Sequence, residues 1–352
     1  MPSERPQFFV DNVREQKEDD PKPYDALIHI EKDIERVGFV QDNFVCEVVD
    51  GKGEGVTIRI PTAITYFKGQ DENQWHKKLY GYHEGIQDAL DSPEMNHYVV
   101  YDPTSGLSFL AMPIDGTTRV RKGKDNLDSF LQQARPEYTD SLIKLVSEFK
   151  DVDFGLFGSR YSADSVATKI SDIDLVVYGP RDLERILAAI EKNEDLCKRI
   201  GLTGRSSDTI EKYIVHYMKK FNITEEEARI ITLRKRRYIL EPNIKLSFNC
   251  ALSDKEPQRK IPLTIGSKKL RDVTIEATAL DTSMSSALPR VFSIETEGEK
   301  IDVVTGTWSL KDFIRLGDKV KVKGALRESD GVTFISLEKP GDIILPTNND
   351  KK

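Results

Sequence analysis

The chain has 352 residues, of which 38% are hydrophobic and 32% charged, with a formal net charge of −7. Its length passes the roughly 250–300 residues at which one hydrophobic core stops growing, so two or three domains are expected. No apolar run approaches the ~18 residues that would span a bilayer, which excludes a helical membrane protein. The acidic balance also excludes a general electrostatic grip on duplex DNA, a mode that needs many phosphate-neutralising Lys and Arg, while local basic patches remain open.

The N-terminal segment MPSERPQFFVDNVREQKEDDPKP carries no basic start followed by an apolar stretch, so it does not read as a secretory signal and a cytoplasmic protein is expected. Cys46, Cys197 and Cys250 are odd in number and far apart, a pattern of reduced thiols rather than of a disulfide framework. The histidines form no pair at metal spacing. Residues 1–23 are expected to be a disordered tail, because 11–23 are charged, flanked by proline and short of apolar surface to bury.

Residues 24–125 read as a β-rich N-terminal domain. The runs ALIHI, GFV, FVCEVV and VTIRI are β-branched and aromatic and are separated by turn residues such as Asp50-Gly51. One helix is predicted from about Gln74 to Leu90, followed by HYVVY and LSFLAM as strands joined at DPTSG. The aromatic residues here, among them Tyr66, Trp75 and Tyr98, suit either a stacking platform for bases or ordinary core packing, and they repeat no nucleic-acid motif, which favours the second.

Residues 126–256 alternate helix and strand. PEYTDSLIKLVSEF puts Leu142, Val146 and Phe149 on one helical face, DFGLFG reads as a buried strand and DIDLVVYG as a second. RDLERILAAIEK gathers Leu183, Ile186, Leu187 and Ile190 on one face. Asp208 with Glu211 and Thr224 with Glu227 are capping-box pairs for two further helices. NIKLSFNCAL alternates Ile244, Leu246, Phe248 and Cys250 with Lys245, Ser247 and Asn249, so one face is apolar and the other polar. Over 257–345 the helical period fades, and five short strand-like runs, including GDKVKVKGAL, predict a small OB-like β-barrel. Lys319, Lys321 and Lys323 alternate on one strand face, where they suit either nucleic-acid phosphates or an ordinary charged exterior. The tract Arg234-Lys235-Arg236-Arg237 is open to the same two readings, contact with a phosphate backbone or the usual basic end of a helix.

The segment GLFGSRYSADSVATKISDIDLVVYG concentrates the chemistry. An apolar strand ends in Gly158-Ser159, residues 160–171 intervene, and a second strand opens with Asp172-Ile173-Asp174. Strand alternation turns both aspartates to one face and Ile173 and Leu175 into the core. Two carboxylates converging there can bind Mg²⁺ or Mn²⁺ for phosphoryl or nucleotidyl transfer, with an NTP as substrate. Gly158 lets backbone approach a triphosphate, the Ser159 hydroxyl can donate to it, and Arg160 adds a fixed positive charge.

Apolar–Gly-Ser, a gap, then Asp-apolar-Asp-apolar resembles the signature of the polymerase-β-like nucleotidyltransferases. The SDIDLVVYG block between a β-rich domain and an OB-like tail resembles more closely a family of predicted archaeal nucleotidyltransferases. The resemblance implies an α/β and β multidomain protein. A central nucleotidyltransferase α/β domain, a mixed sheet with helices, lies between a β-rich N-terminal domain and an OB-like C-terminal β-barrel that offers a site for nucleic acid. It implies catalytic and metal-binding roles for Asp172 and Asp174, nucleotide contacts for Gly158, Ser159 and Arg160, and a two-metal transfer of NMP from an NTP to a hydroxyl acceptor. It also implies a third carboxylate on a later strand. The counterpart strand IKLSFNC offers only Lys245, Ser247 and Asn249 on its polar face, and Glu241 and Asp254 lie outside it. The alternative expectation is therefore a non-catalytic member that binds nucleotide or single-stranded nucleic acid.

Overall fold

The computed structural model describes residues 8–15, 20–21, 26–31, 34–40, 44–50, 56–69, 76–80, 86–93, 95–133, 136–157, 172–204, 207–236, 238–241, 243–252, 261–339 and 341–347. The N-terminal part is a nine-stranded sheet. Its strands are β1 (Phe8–Glu15), β2 (Ala26–Glu31), β3 (Ile34–Val40), β4 (Phe44–Asp50), β5 (Val56–Gly69), β6 (His76–Tyr80), β7 (Val99–Asp102), β8 (Leu107–Pro113) and β9 (Thr118–Arg121), with the short helix α1 (Ile86–Leu90) before β7. Strands β1, β4, β5, β8 and β7 close on one another in that order as a five-stranded barrel. Five strands cannot alternate direction all the way round a ring, so one neighbouring pair must run parallel; here it is β1 with β7.

Two expectations are corrected in this part. Phe8–Glu15, placed in a disordered tail, is strand β1 of the barrel. Its Phe8, Val10 and Val13 pack against the buried Cys46, Val48, Val100 and Phe109, and the Arg59 guanidinium lies 3.9 Å from the centre of the Phe8 ring. These few apolar side chains find a preformed surface, which composition averaged over a charged segment hides. Of the helix expected over Gln74–Leu90, Ile86–Leu90 is helical, whereas His76–Tyr80 pairs antiparallel with the long strand β5, and 74–75 and 81–85 lie outside the described residues; over His76–Tyr80 strand pairing outweighs the local period.

The middle part comprises α2 (Gly123–Gln133), α3 (Pro136–Glu148), β10 (Phe154–Phe157), β11 (Asp172–Tyr178), α4 (Pro180–Lys192), α5 (Glu194–Ile200), β12 (Leu202–Thr203), α6 (Ser207–Phe221), α7 (Glu225–Arg234), β13 (Tyr238–Leu240) and β14 (Ile244–Ala251). Its sheet runs β10-β11-β14-β13-β12, with β11 and β14 parallel and the other pairs antiparallel. The expected apolar faces are the buried ones: Leu142 of α3 and Leu183, Ile186, Leu187 and Ile190 of α4 pack on Ile173, Leu175, Leu246 and Phe248 of the sheet. Proline at the first turn of α4 fits a position where its missing N–H costs nothing.

Helix α7 opens with a full capping box. Thr224 Oγ1 accepts from the Glu227 N–H at 3.3 Å, and the Glu227 carboxylate accepts from the Thr224 N–H at 2.8 Å. Thr224→Ala removes one partner of an otherwise unsatisfied helix donor, and is expected to lower the urea-unfolding free energy by about 1 kcal/mol.

The C-terminal part is a second closed barrel of β15 (Lys268–Asp281), β16 (Arg290–Thr296), β17 (Glu299–Thr305), β18 (Lys319–Ser329) and β19 (Val332–Ser336), with β20 (Ile343–Pro346) added on β18. The order is β15-β16-β17-β19-β18, and the parallel pair is β17 with β19. Two tight hairpins set its register: Glu297-Gly298 and Asp330-Gly331 have positive φ at both residues (52° and 82°, 51° and 76°), the conformation of a type I′ turn whose twist matches the flanking strands. This barrel does not stand apart from the middle domain. Ile214, Tyr217 and Phe221 of α6 and Ala228 and Ile231 of α7 share one apolar cluster with its Phe292, Val303, Val320 and Ile335. Among the described residues no helix is long and apolar enough to cross a membrane.

Candidate functional site

Strand β11 sits inside its sheet, between β10 and β14. Its burial alternates as the sequence requires: Ile173 and Leu175 are fully buried, whereas Asp172 and Asp174 are half-buried. The parallel register sets Lys245 beside Asp172, Ser247 beside Asp174 and Asn249 beside Val176. Both aspartates therefore share a face with the polar row of β14, and they line a cleft of about 230 Å³ with Lys245, Ser247, Tyr213 and Lys311.

At the position where the resemblance implied a third carboxylate stands Ser247, whose hydroxyl donates to Asp174 Oδ1 at 2.5 Å. Asn249 lies one step further along the strand and is completely buried. Its amide nitrogen donates to Ser247 Oγ at 3.3 Å and to the Leu175 carbonyl at 3.5 Å. Its oxygen accepts from Lys311 Nζ at 2.7 Å, and the same ammonium donates to the Phe248 carbonyl at 3.0 Å. Asn249 is thus a support for the site and Ser247 the group that faces the aspartates. Glu241 lies in the turn before β14, where its N–H donates to the Gly201 carbonyl, and Asp254 lies outside the described residues, as do Gly158, Ser159 and Arg160.

Four lining residues had no signal in the sequence. Tyr213 and Thr209 come from α6, and Tyr213 also packs against the apolar cluster that α6 shares with the second barrel. Tyr238 comes from β13, with its ring edge-on to Phe248 at 5.8 Å. Burial raises the Tyr238 phenol above its ordinary value, so it stays a neutral donor at physiological pH. Lys311 belongs to the barrel segment between β17 and β18, 62 residues beyond Asn249, and only the docking of the barrel brings it in.

Residues 140–237 match the family model of the nucleotidyltransferase domain. The nucleotidyltransferase match runs from within α3 to just past α7 and contains Asp172 and Asp174; it ends before β14, so Ser247, Asn249 and Lys311 lie beyond it. Comparison with curated proteins and with solved structures gives no match. Much of the basic tract at the end of the matched segment is engaged internally: Arg234 pairs with Asp318 at 2.5 Å, Lys235 donates to the Ser309 carbonyl and lies over the Tyr217 ring, and Arg236 pairs with Glu191 at 2.7 Å. Arg237 lies outside the described residues.

The donor set suits a hard cation. Mg²⁺ takes one or two carboxylates and completes its shell with substrate phosphates and water, which Asp172 and Asp174 permit. No group of three His, Cys, Asp or Glu able to hold an ion occurs among the described residues. Ser247→Asp would supply the missing anion beside Asp174, and is expected to tighten Mn²⁺ binding by roughly tenfold while lowering stability of the metal-free protein through like-charge repulsion. Calorimetric titration and thermal melts with and without Mn²⁺ measure the two effects.

Proposed function

We propose that this chain transfers a nucleoside monophosphate from an NTP to a hydroxyl acceptor in the cleft at the mouth of β11. The observation that carries the proposal is the pair of half-buried aspartates on one face of a central strand, within the segment that matches the nucleotidyltransferase domain. The acceptor oxygen bonds to the α-phosphorus, the bond from that phosphorus to the α,β-bridging oxygen breaks, pyrophosphate leaves, and the acceptor proton passes to solvent.

Asp172 and Asp174 would hold Mg²⁺ or Mn²⁺, which supplies Lewis-acid stabilisation of charge on the phosphate oxygens. With Ser247 in the third position, the two-metal form would rest on these two carboxylates and the triphosphate itself. Lys245 and Lys311 add positive charge to the cleft wall, where it favours a polyanionic substrate. Tyr213 and Tyr238 offer aromatic surface beside the aspartates for a base. Gly158, Ser159 and Arg160 are proposed as phosphate contacts on their sequence pattern.

The strand order of the second barrel, closed by antiparallel β15 and β18 with β17 parallel to β19, supports an OB-like module. The exposed Lys319, Lys321 and Lys323 on β18 would be its contacts to nucleic acid. The likeness to the archaeal family rests on the SDIDLVVYG block and on the order of the three parts. A second reading, a binding protein without transferase activity, is favoured by the hydroxyl of Ser247 standing where an acid was expected. Incubation with each α-labelled NTP, Mn²⁺ and pooled RNA, DNA or the protein's own hydroxyls separates them: labelled product with pyrophosphate release supports transfer. Metal-dependent NTP binding with no product on any acceptor selects the second reading, and no binding at all overturns both.

A further inference from the structure

We infer that Lys311 of the C-terminal barrel is a positioning residue for Asp174, acting through Asn249 and Ser247, so that the barrel completes the site. The inference rests on the proposed metal-binding role of Asp174 and adds the groups that orient it.

The polarity of the chain of hydrogen bonds is fixed from the lysine end. An ammonium group has donors only, so the Asn249 oxygen must face Lys311 and the amide nitrogen must face the other way. That nitrogen donates to Ser247 Oγ, which fills an acceptor position on the hydroxyl and directs its proton to Asp174 Oδ1. Each link thus determines the next, and the last pins one oxygen of a carboxylate on the cleft. Asn249 is completely buried, so water cannot replace a lost partner without cost. Charge-assisted donation at the far end polarises the links in one direction. Were Lys311 absent, only the Leu175 carbonyl, at 3.5 Å, would still select the amide's orientation, and the direction of the Ser247 proton would be held less firmly.

A merely structural lysine would also matter, since it donates to the Phe248 carbonyl and so ties barrel to sheet. A double-mutant cycle separates the roles. In the full-length protein, Lys311→Met keeps the stem and removes the donor, whereas Ser247→Ala cuts the last link and leaves the barrel contact intact. Mn²⁺ affinity, read by electron paramagnetic resonance without turnover, is expected to fall about tenfold in each single variant, the scale for partners that orient a metal ligand. The double variant is expected to be no weaker than the worse single one, because both act through one path. Lys311→Arg keeps a donor and is expected to recover most of the affinity.

Losses that multiply in the double variant, or a Lys311→Met protein that binds Mn²⁺ as tightly as the original while Ser247→Ala does not, would overturn the inference and leave the proposed function standing. If the unaltered protein takes up no Mn²⁺ at all, the proposed function itself fails, and this inference with it. A Lys311→Met protein that unfolds leaves Asn249→Leu to test the same step: the middle link is lost with an apolar side chain of similar size, and unchanged Mn²⁺ affinity there would overturn the inference.

Discussion

Replacing Asp172 and Asp174 together by Asn is expected to abolish metal-dependent NTP binding while leaving the protein folded. Asparagine matches aspartate in shape, and both side chains are half-buried at the cleft, so packing of Ile173 and Leu175 beneath them is undisturbed. The anionic charge that a Mg²⁺ site needs is lost. Because loss of a group that only orients a metal ligand already costs about 10–100-fold in affinity, loss of both proposed ligands should exceed about 100-fold. Thermal stability should hold or rise, since two like charges on adjacent same-face positions are removed. Titration of Mn²⁺ with a non-hydrolysable NTP analogue, beside a thermal melt, gives both readings; unchanged affinity in a folded variant would place the metal elsewhere.

The second large effect concerns stability. Arg327 is 1% exposed and its partner Glu338 4%. The guanidinium meets both carboxylate oxygens, at 2.7 and 2.9 Å, and donates to Ser336 Oγ and to the carbonyls of Ser105 and Ser267. Ser105 belongs to the turn between β7 and β8 of the first barrel, so one side chain ties both barrels. Arg327→Leu leaves a buried carboxylate and two carbonyls without their donor, and is expected to cost about 3–5 kcal/mol in urea unfolding. Arg327→Leu with Glu338→Leu should recover most of that cost, because the uncompensated charge goes with its partner. A single variant that loses less than about 1 kcal/mol would show that water reaches Glu338.

These two cases mark what the sequence could and could not tell. The alternation of Asp172, Ile173, Asp174 and Leu175 was legible because a strand has a fixed period and its apolar members must face inward. The apolar faces of α3 and α4 and the capping box of Thr224 were legible for the same local reason. Arg327, Lys311 and Asn249 were not, since each acquires its role from a partner that only tertiary docking supplies. Asn249 was read with Lys245 and Ser247 as part of one polar strand face; it is buried against Lys311 of the barrel, and Ser247, two residues nearer the mouth, is the one that meets Asp174. Strand β1 escaped notice because a few apolar residues in a charged segment suffice when a barrel waits for them.

The apolar cluster shared by α6, α7 and the second barrel has a consequence for the order of synthesis. Ile214, Tyr217, Phe221, Ala228 and Ile231 emerge from the ribosome well before the strands that cover them. Everything from Lys235 to β20 must follow, which at roughly 5–20 residues per second leaves that greasy helix pair uncovered on the order of ten seconds. A nascent chain at this stage is a target for chaperones that hold exposed apolar helices, and a translational stall before β20 would strand it there.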